Sequence, residues 1–399
     1  MGFFSECIVN PDMCFSNLLG TFVPPRMVGP IKGFSEAAVL IMIGLTAVLV
    51  LTWGERKVVG RMQDRIGPNR WGPYGILQPL ADGIKMFTKE DIVPDLADRW
   101  VHLLASIIVV IPALLIYAVL PFGQGLWGAD LNIGVLYVVA LSNIGAIAIL
   151  MAGWSSHNKY SLLGAFRVVA QVITYEIPLV ISMVAVVMLS GSMSMVSIVE
   201  SQDVANIVIM PVVFLVFLFS ATAELYRAPF DMIEADSELV AGFFTEYSGM
   251  KFVMFFMAEY INLLAMSGII TTLFLGGWRF FGLEEIVPLL GPVIFFGKSG
   301  VIVFLFWWIR STFPRIRIDH MMNIAWKALV PISLVNLMVV GLVDKIVANP
   351  LVSTAALLAV NLAGAALLLK VFDRMDRKTQ TRMKERVAAR KKSVQFRSM

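Results

Sequence analysis

The chain has 399 residues, of which 58% are apolar and only 15% charged, with a formal net charge of +4. Its mean hydropathy is +0.80. A typical soluble domain is about 25% charged, so a soluble globular domain is excluded, and so is a disordered chain, which is poor in apolar residues. The apolar runs are continuous and roughly 20 residues long, the length a bilayer requires. They point to an all-α polytopic transmembrane helix bundle, not to the short alternating segments of a β-barrel.

Nine spans are expected, near 34–53, 102–120, 133–152, 164–189, 207–223, 252–275, 293–309, 328–343 and 351–371. The segment 1–33 holds both cysteines, Cys7 and Cys14. They could pair in an oxidising compartment or remain free thiols. No basic stretch runs directly into an apolar core here, so no cleaved signal peptide is expected. Two cysteines and three histidines (His102, His157, His320) fall short of an iron–sulfur or structural zinc ligand set. A metal redox centre in this chain is therefore not expected.

The first long loop runs from Gly54 to Glu90 and is dense in Arg, Gly and Pro. Gly67-Pro68, Gly72-Pro73 and Gly75 predict an ordered, tightly turned loop. Ile76, Leu80, Ile84 and Phe87 then recur at helical spacing, with Gln78, Asp82 and Lys85 opposite, predicting a short amphipathic helix at the membrane surface. The next loop, Gly153 to Glu176, runs into the fourth span and carries Arg167, Gln171 and Glu176 to hydrocarbon level. A carboxylate as deep as Glu176 should meet a cation or hold a proton.

The loop Ala223 to Gly249 contains Glu224, Asp231, Glu234, Asp236, Glu238 and Glu246, offset only by Arg227 and the nearby Lys251. Positions 224, 227, 231, 234 and 238 would share one helical face, with Pro229 expected to interrupt it. Carboxylates this close repel, which suits shared protons and a relay. A solvated acidic loop is the plainer reading, but Glu259 inside the sixth span favours the relay. The last such loop, Trp307 to Lys327, carries a basic patch of Arg310, Arg315 and Arg317.

Basic residues test the topology. The loops after odd-numbered spans and the C-terminal tail hold 25 Lys and Arg, against 4 in the N-terminal segment and the other loops. That asymmetry places the long loops and the C-terminus inside and the N-terminus outside. Residues 373–399 carry ten basic and three acidic side chains. Such a tail suits orientation and contact with anionic lipid rather than nucleic acid. The expected organisation is an outside segment 1–33, an eight-span core 34–344, a ninth span within 345–372 and a basic cytoplasmic tail 373–399.

Four segments in this order resemble a known family: MQDRIGPNRWGPYGILQPLADGIKMFTKE, GWSSHNKYSLLGAFRVVAQVITYE, AELYRAPFDMIEADSELVAGFFTEYS and RSTFPRIRIDHMMNIAWK. They are similar to the membrane subunit of respiratory complex I that is designated H or 1; the complex is the proton-pumping NADH:quinone oxidoreductase. The resemblance spans about residues 34–344. It implies an eight-span core that walls the quinone chamber against hydrophilic subunits, beside small and antiporter-like membrane subunits. It implies quinone (ubiquinone or menaquinone) as substrate, with FMN and iron–sulfur clusters in partner subunits and none here. By motif match, Glu176, Glu224, Asp231, Glu234, Asp236, Glu238 and Glu259 fall on the family's acidic proton path. Glu55, Arg56, Arg65, Asp82, Arg227 and Phe230 fall in segments of the quinone chamber and its entrance, and Arg315 and Arg317 in the segment facing the hydrophilic arm. The location implied is a bacterial plasma (inner) membrane. Tyr226 and His157 stand where the family commonly has Asn, His320 where Gln is common, and Asp236 where Glu is usual. Three other readings compete: the membrane subunit of a related energy-converting hydrogenase, an independent ion transporter and a purely structural anchor. The preserved first loop disfavours the hydrogenase, the lack of an internal repeat disfavours the transporter, and an anchor would not need carboxylates inside spans four and six.

Overall fold

A computed structural model describes residues 25–232, 241–280, 282, 290–346, 352 and 354–364. Among these residues there is no β-strand; helices carry the fold. Helix α1 is Pro25–Met62, α2 Gln78–Thr88, α3 Arg99–Leu115, α4 Gly134–Ser155 and α5 Lys159–Ser190. After the short α6 (Met195–Glu200) come α7 (Pro211–Glu224), α8 (Gly249–Phe274) and α9 (Leu290–Thr312). Helix α10 (Ile318–Ile346) contains one π turn at Ala325–Leu329, and α11 is Thr354–Gly364. Seven of the described helices (α1, α3, α4, α5, α8, α9 and α10) are long and apolar enough to cross a bilayer. The chain is a multi-pass membrane protein.

The elements differ from the sequence expectations at identifiable places. The expected first span ends at 53, but α1 continues to Met62. Glu55 and Arg56 therefore stand on a helix, not in a loop. The expected span 207–223 is broken: a single turn at Asn206–Ile209 precedes α7, which begins at Pro211. Proline has no N–H to donate and sits naturally in a first turn. The 14 residues of α7 reach only about 21 Å, short of a roughly 30 Å hydrocarbon core. Of the expected ninth span only α11 and residue 352 are described. Cys7, Cys14 and the tail lie outside the described residues.

Helix α5 sits at the centre, packed against α4, α7 and α10, and α8 fills the other half against α1, α3 and α9. The start of α5 is set by Asn158, whose side chain accepts from the Tyr160 N–H, and its end by Gly191 in the left-handed region. Only Ser156 to Asn158 separate α4 from α5, so the second loop is far tighter than its sequence span implied. Large apolar side chains of α1, α9 and α10, among them Phe34, Met42, Val301 and Met338, remain exposed, as lipid-facing surfaces require. The turn Gly72–Gly75 depends on Gly75, at φ 77°, where a Cβ would stand 2.4 Å from the Pro68 carbonyl oxygen. Trp53 Nε1 donates to the Tyr74 carbonyl oxygen at 3.1 Å and fixes this turn against α1.

Candidate functional site at the loop ends of α1, α5 and α8

The segment 225–232 follows α7 without helical structure. Over the described residues the expected helical face does not continue through Arg227 and Asp231: α7 ends at Glu224, ahead of Pro229, where an interruption was expected, and positions 234 and 238 lie outside the described residues. What orders the segment instead is α5. Gln171 Nε2 donates to the Ala223 oxygen at 2.7 Å and to the Phe230 oxygen at 2.8 Å. One turn earlier Arg167 donates to Met232 Sδ, and one turn later the Tyr175 ring lies 5.1 Å from the Phe230 ring. Tyr175 also donates to the Met321 oxygen of α10 at 2.9 Å. Residues four apart share a helix face, so three side chains of α5 carry the segment. Arg167 and Gln171, expected at hydrocarbon depth, thus act as brackets.

Arg227 is held inside this frame at 2% exposure. Its Nη1 donates to Glu55 Oε1 at 2.5 Å, its Nε stands 2.9 Å from Glu259 Oε1, and its guanidinium lies over the Tyr260 ring. Glu55 Oε1 is shared with Arg310 of α9. A chain of ion pairs, Arg310–Glu55–Arg227–Glu259, therefore joins α9, α1, the 225–232 segment and α8. Burial pulls the Arg227 pKa down, but Glu259 and Glu55 more than offset this, and it stands above its ordinary value. A buried charge needs such partners.

The chain of pairs ends at an internal cavity of about 70 Å3 lined by Ser142, Glu224, Tyr226, Glu259 and Asn262 among apolar side chains. The walls are mostly apolar, but these few convergent polar groups and that volume suit water. Glu224 Oε2 is buried with no hydrogen-bond partner among the described residues. Burial first, then Glu224 and Glu259, push the Tyr226 phenol above its ordinary value, so it keeps its proton and can donate. Glu176, on α5, accepts from Asn143 Nδ2 at 2.5 Å. This partner is an amide and not a cation, which leaves the other alternative offered by the sequence, a carboxyl that holds its proton. Sequence reasoning missed Asn143, which is an ordinary polar residue within an apolar run.

A second cluster faces outward. Arg56 Nη1 meets Asp82 Oδ2 at 2.6 Å, Gln78 donates to Asp82 Oδ1 at 3.2 Å, and Lys85 lies 3.7 Å away. Burial raises the Asp82 pKa, but the hydrogen bonds from Arg56 and Gln78 and the nearby cations leave it below the usual carboxylate range. Leu80, Ile84 and Phe87 are exposed on the other side of α2, giving the amphipathic helix predicted, although it begins at Gln78 and leaves the exposed Ile76 in the turn before it. Arg65 stands apart, exposed, its Nε donating to Gln63. Arg315 and Arg317 are exposed, and the Ile316 N–H between them donates to the Pro229 oxygen, fastening that segment to 225–232. Asp231 is half-buried, whereas Glu234, Asp236 and Glu238 lie outside the described residues. Tyr226 and His157 both take positive φ, 54° and 49°. Asn adopts that conformation more readily than Tyr or His, a physical reason why Asn would suit both places. Among the described residues no three His, Cys, Asp or Glu side chains gather as a metal site.

The NADH dehydrogenase family profile matches residues 35–341. The H subunit of NADH-quinone oxidoreductase from Dehalococcoides mccartyi strain CBDB1 is 50% identical over 331 residues, covering 83% of this chain and 91% of that protein. The H subunit from Anoxybacillus flavithermus is 46% identical over 322 residues, 78% of this chain and 96% of the relative. The H 2 subunit from Geobacter sulfurreducens is 45% identical over 318 residues, 77% and 94% of the two. The profile match spans most of the membrane bundle and these relatives share nearly half its residues, so the chain belongs to the H-subunit family of NADH-quinone oxidoreductase, respiratory complex I.

Proposed function

We propose that the chain walls the membrane side of the quinone chamber and passes the charge change of quinone reduction to an acidic path within the bilayer. The ion-pair chain that runs from Arg310 through Glu55 and Arg227 to Glu259, and ends at the cavity shared with Glu224, carries this reading. In it, Glu55, Arg56, Arg65, Asp82, Arg227 and Phe230 belong to the chamber and its entrance. Glu176, Glu224, Asp231, Glu234, Asp236, Glu238 and Glu259 belong to the relay. Arg315 and Arg317 face hydrophilic subunits, and small and antiporter-like membrane subunits flank the chain. FMN and iron–sulfur clusters in partner subunits supply the electrons. The asymmetry of basic residues supports a bacterial inner membrane setting with the N-terminus outside and the tail cytoplasmic. It supports equally the division into segment 1–33, core 34–344, a further span in 345–372 and tail 373–399.

Quinone accepts two electrons and two protons to become quinol. When electrons arrive ahead of protons, negative charge appears beside Arg227 and Arg310, weakening their hold on Glu55 and Glu259. A charge acts strongly where water is excluded, so proton occupancy at Glu259 and Glu224 responds. Moving one charge against the membrane potential costs about 2.3 kcal/mol per 100 mV, matched by pKa shifts of roughly two units. Glu259→Gln and Glu224→Gln keep shape and remove titration. In the assembled complex, each is expected to lower quinone reduction and proton pumping together while NADH oxidation by an artificial acceptor continues. Pumping at the full rate in both variants would overturn the relay.

A further inference from the structure

Helix α1 carries a glycine, Gly54, in its interior, immediately before Glu55. Glycine weakens a helix interior, so such a position usually reflects a close packing contact. Here the contact is with Trp307 of α9. A Cβ placed on Gly54 would stand 2.7 Å from Trp307 Cη2, 3.2 Å from Cζ3 and 3.6 Å from Cζ2. All three atoms belong to the six-membered part of the indole, a rigid plate that cannot fold aside. The Trp307 Nε1 is buried without a hydrogen-bond partner among the described residues, so packing rather than polarity holds the ring. Trp307 lies one turn before Arg310 on α9, and Gly54 one residue before Glu55 on α1. The ion pair between Glu55 and Arg310 thus sits directly beside the place where the two helices touch through Gly54.

We propose that Gly54 and Trp307 form a size-matched pair that sets the separation of α1 and α9 and thereby positions Glu55 between Arg227 and Arg310. The proposal rests on the reading of Glu55 as part of the chamber. Both are positioning residues: neither is charged and neither touches the cavity at Glu224 and Glu259. A methyl at Gly54 drives α1 away from Trp307 and loosens the shared carboxylate. A smaller ring at position 307 gives the methyl its space.

The test uses the intact complex in membranes, with quinone reduction normalised to assembled complex and to NADH oxidation by an artificial acceptor. Gly54→Ala is expected to lower quinone reduction about tenfold. Trp307→Phe, which removes the clashing edge and leaves a gap, is expected to lower it two- to threefold. The double variant Gly54→Ala with Trp307→Phe is expected to recover to within about threefold of the parent. Rescue by the complementary ring is a result that general misfolding does not produce. A double variant no better than Gly54→Ala alone overturns the pairing. So does full activity of Gly54→Ala, and if that variant fails to assemble, a double variant that also fails to assemble counts against it. Glu55→Gln in parallel separates the two claims. Full quinone reduction there removes the underlying reading, whereas impaired Glu55→Gln beside fully active Gly54→Ala removes only the positioning pair.

Discussion

Glu55 and Arg56 are neighbours on α1, yet they belong to different electrostatic worlds. The Glu55 side chain is 5% exposed and shared by two arginines; the Arg56 side chain is 44% exposed and meets a single aspartate. Successive residues on a helix point about 100° apart, enough here to put one toward α8 and α9 and the other toward the amphipathic α2. The same chemical pairing therefore performs two tasks. In the interior, Glu55 and Arg227 are at most 5% exposed, and removing the partner of either leaves a buried ion undercompensated. At the surface, water and salt compete for both partners, and the pair only biases the position of α2.

Breaking the inner half of that contrast should have the largest effect. Arg227→Met removes the cation between Glu55 and Glu259 and is expected to destabilise the protein by about 3–5 kcal/mol. The assembled complex recovered from membranes, measured by native electrophoresis, should fall sharply. Next comes the bracket that holds Arg227 in place. Gln171→Leu deprives the Ala223 and Phe230 carbonyls of their donor, at about 1–3 kcal/mol for each buried group left unpaired. The solubilised complex is expected to melt earlier, with Arg227 itself intact. The outer pair should respond least. Asp82→Asn is expected to cost no more than about 1 kcal/mol, yet to lower reduction of a long-tailed quinone while the artificial-acceptor rate holds. Similar thermal losses for Arg227→Met and Asp82→Asn would erase the distinction between the two halves.

A pH series sharpens the outer half. The Asp82 pKa is depressed in the folded protein. Its contribution is therefore fully present above the ordinary carboxylate pKa and is lost as the pH falls through the depressed value. On the acid side, the parent should lose stability toward that of Asp82→Asn, and the two melting curves should converge. A constant gap between them down the acid range would rule out this pair as the source.

The sequence made the bilayer-length helices and α2 legible, because lipid demands long apolar runs and a surface helix demands a two-sided pattern. It misplaced their ends wherever a helix outlasts its apolar stretch, as α1 does past the charged Glu55, Arg56, Lys57 and Arg61. It also read the spacing of Glu224, Arg227 and Asp231 as a helical face interrupted at Pro229, whereas α7 already ends at Glu224. The types of residue in the candidate site were legible, but their grouping was not. Glu55 and Arg310 lie 255 positions apart, and nothing local in either sequence neighbourhood announces the other. Arg227 was recognisable from its motif, whereas its simultaneous grip on Glu55 and Glu259 follows from the way α1 and α8 pack around it. Gly54 gave the faintest signal of all, a single missing side chain within a helix.

The amide of Gln171 has a mechanical consequence. Its two donor hydrogens grip carbonyl oxygens at both ends of the stretch from Ala223 to Phe230, closing that stretch into a ring hung from one side chain. Phe230 and Ala223 therefore cannot be displaced independently without breaking a buried hydrogen bond. Ala223 precedes Glu224, and Phe230 packs toward α10 and the fastened 315–317 segment. A displacement of the aromatic end that keeps both hydrogen bonds must therefore carry the carboxylate end with it, about the Gln171 side chain.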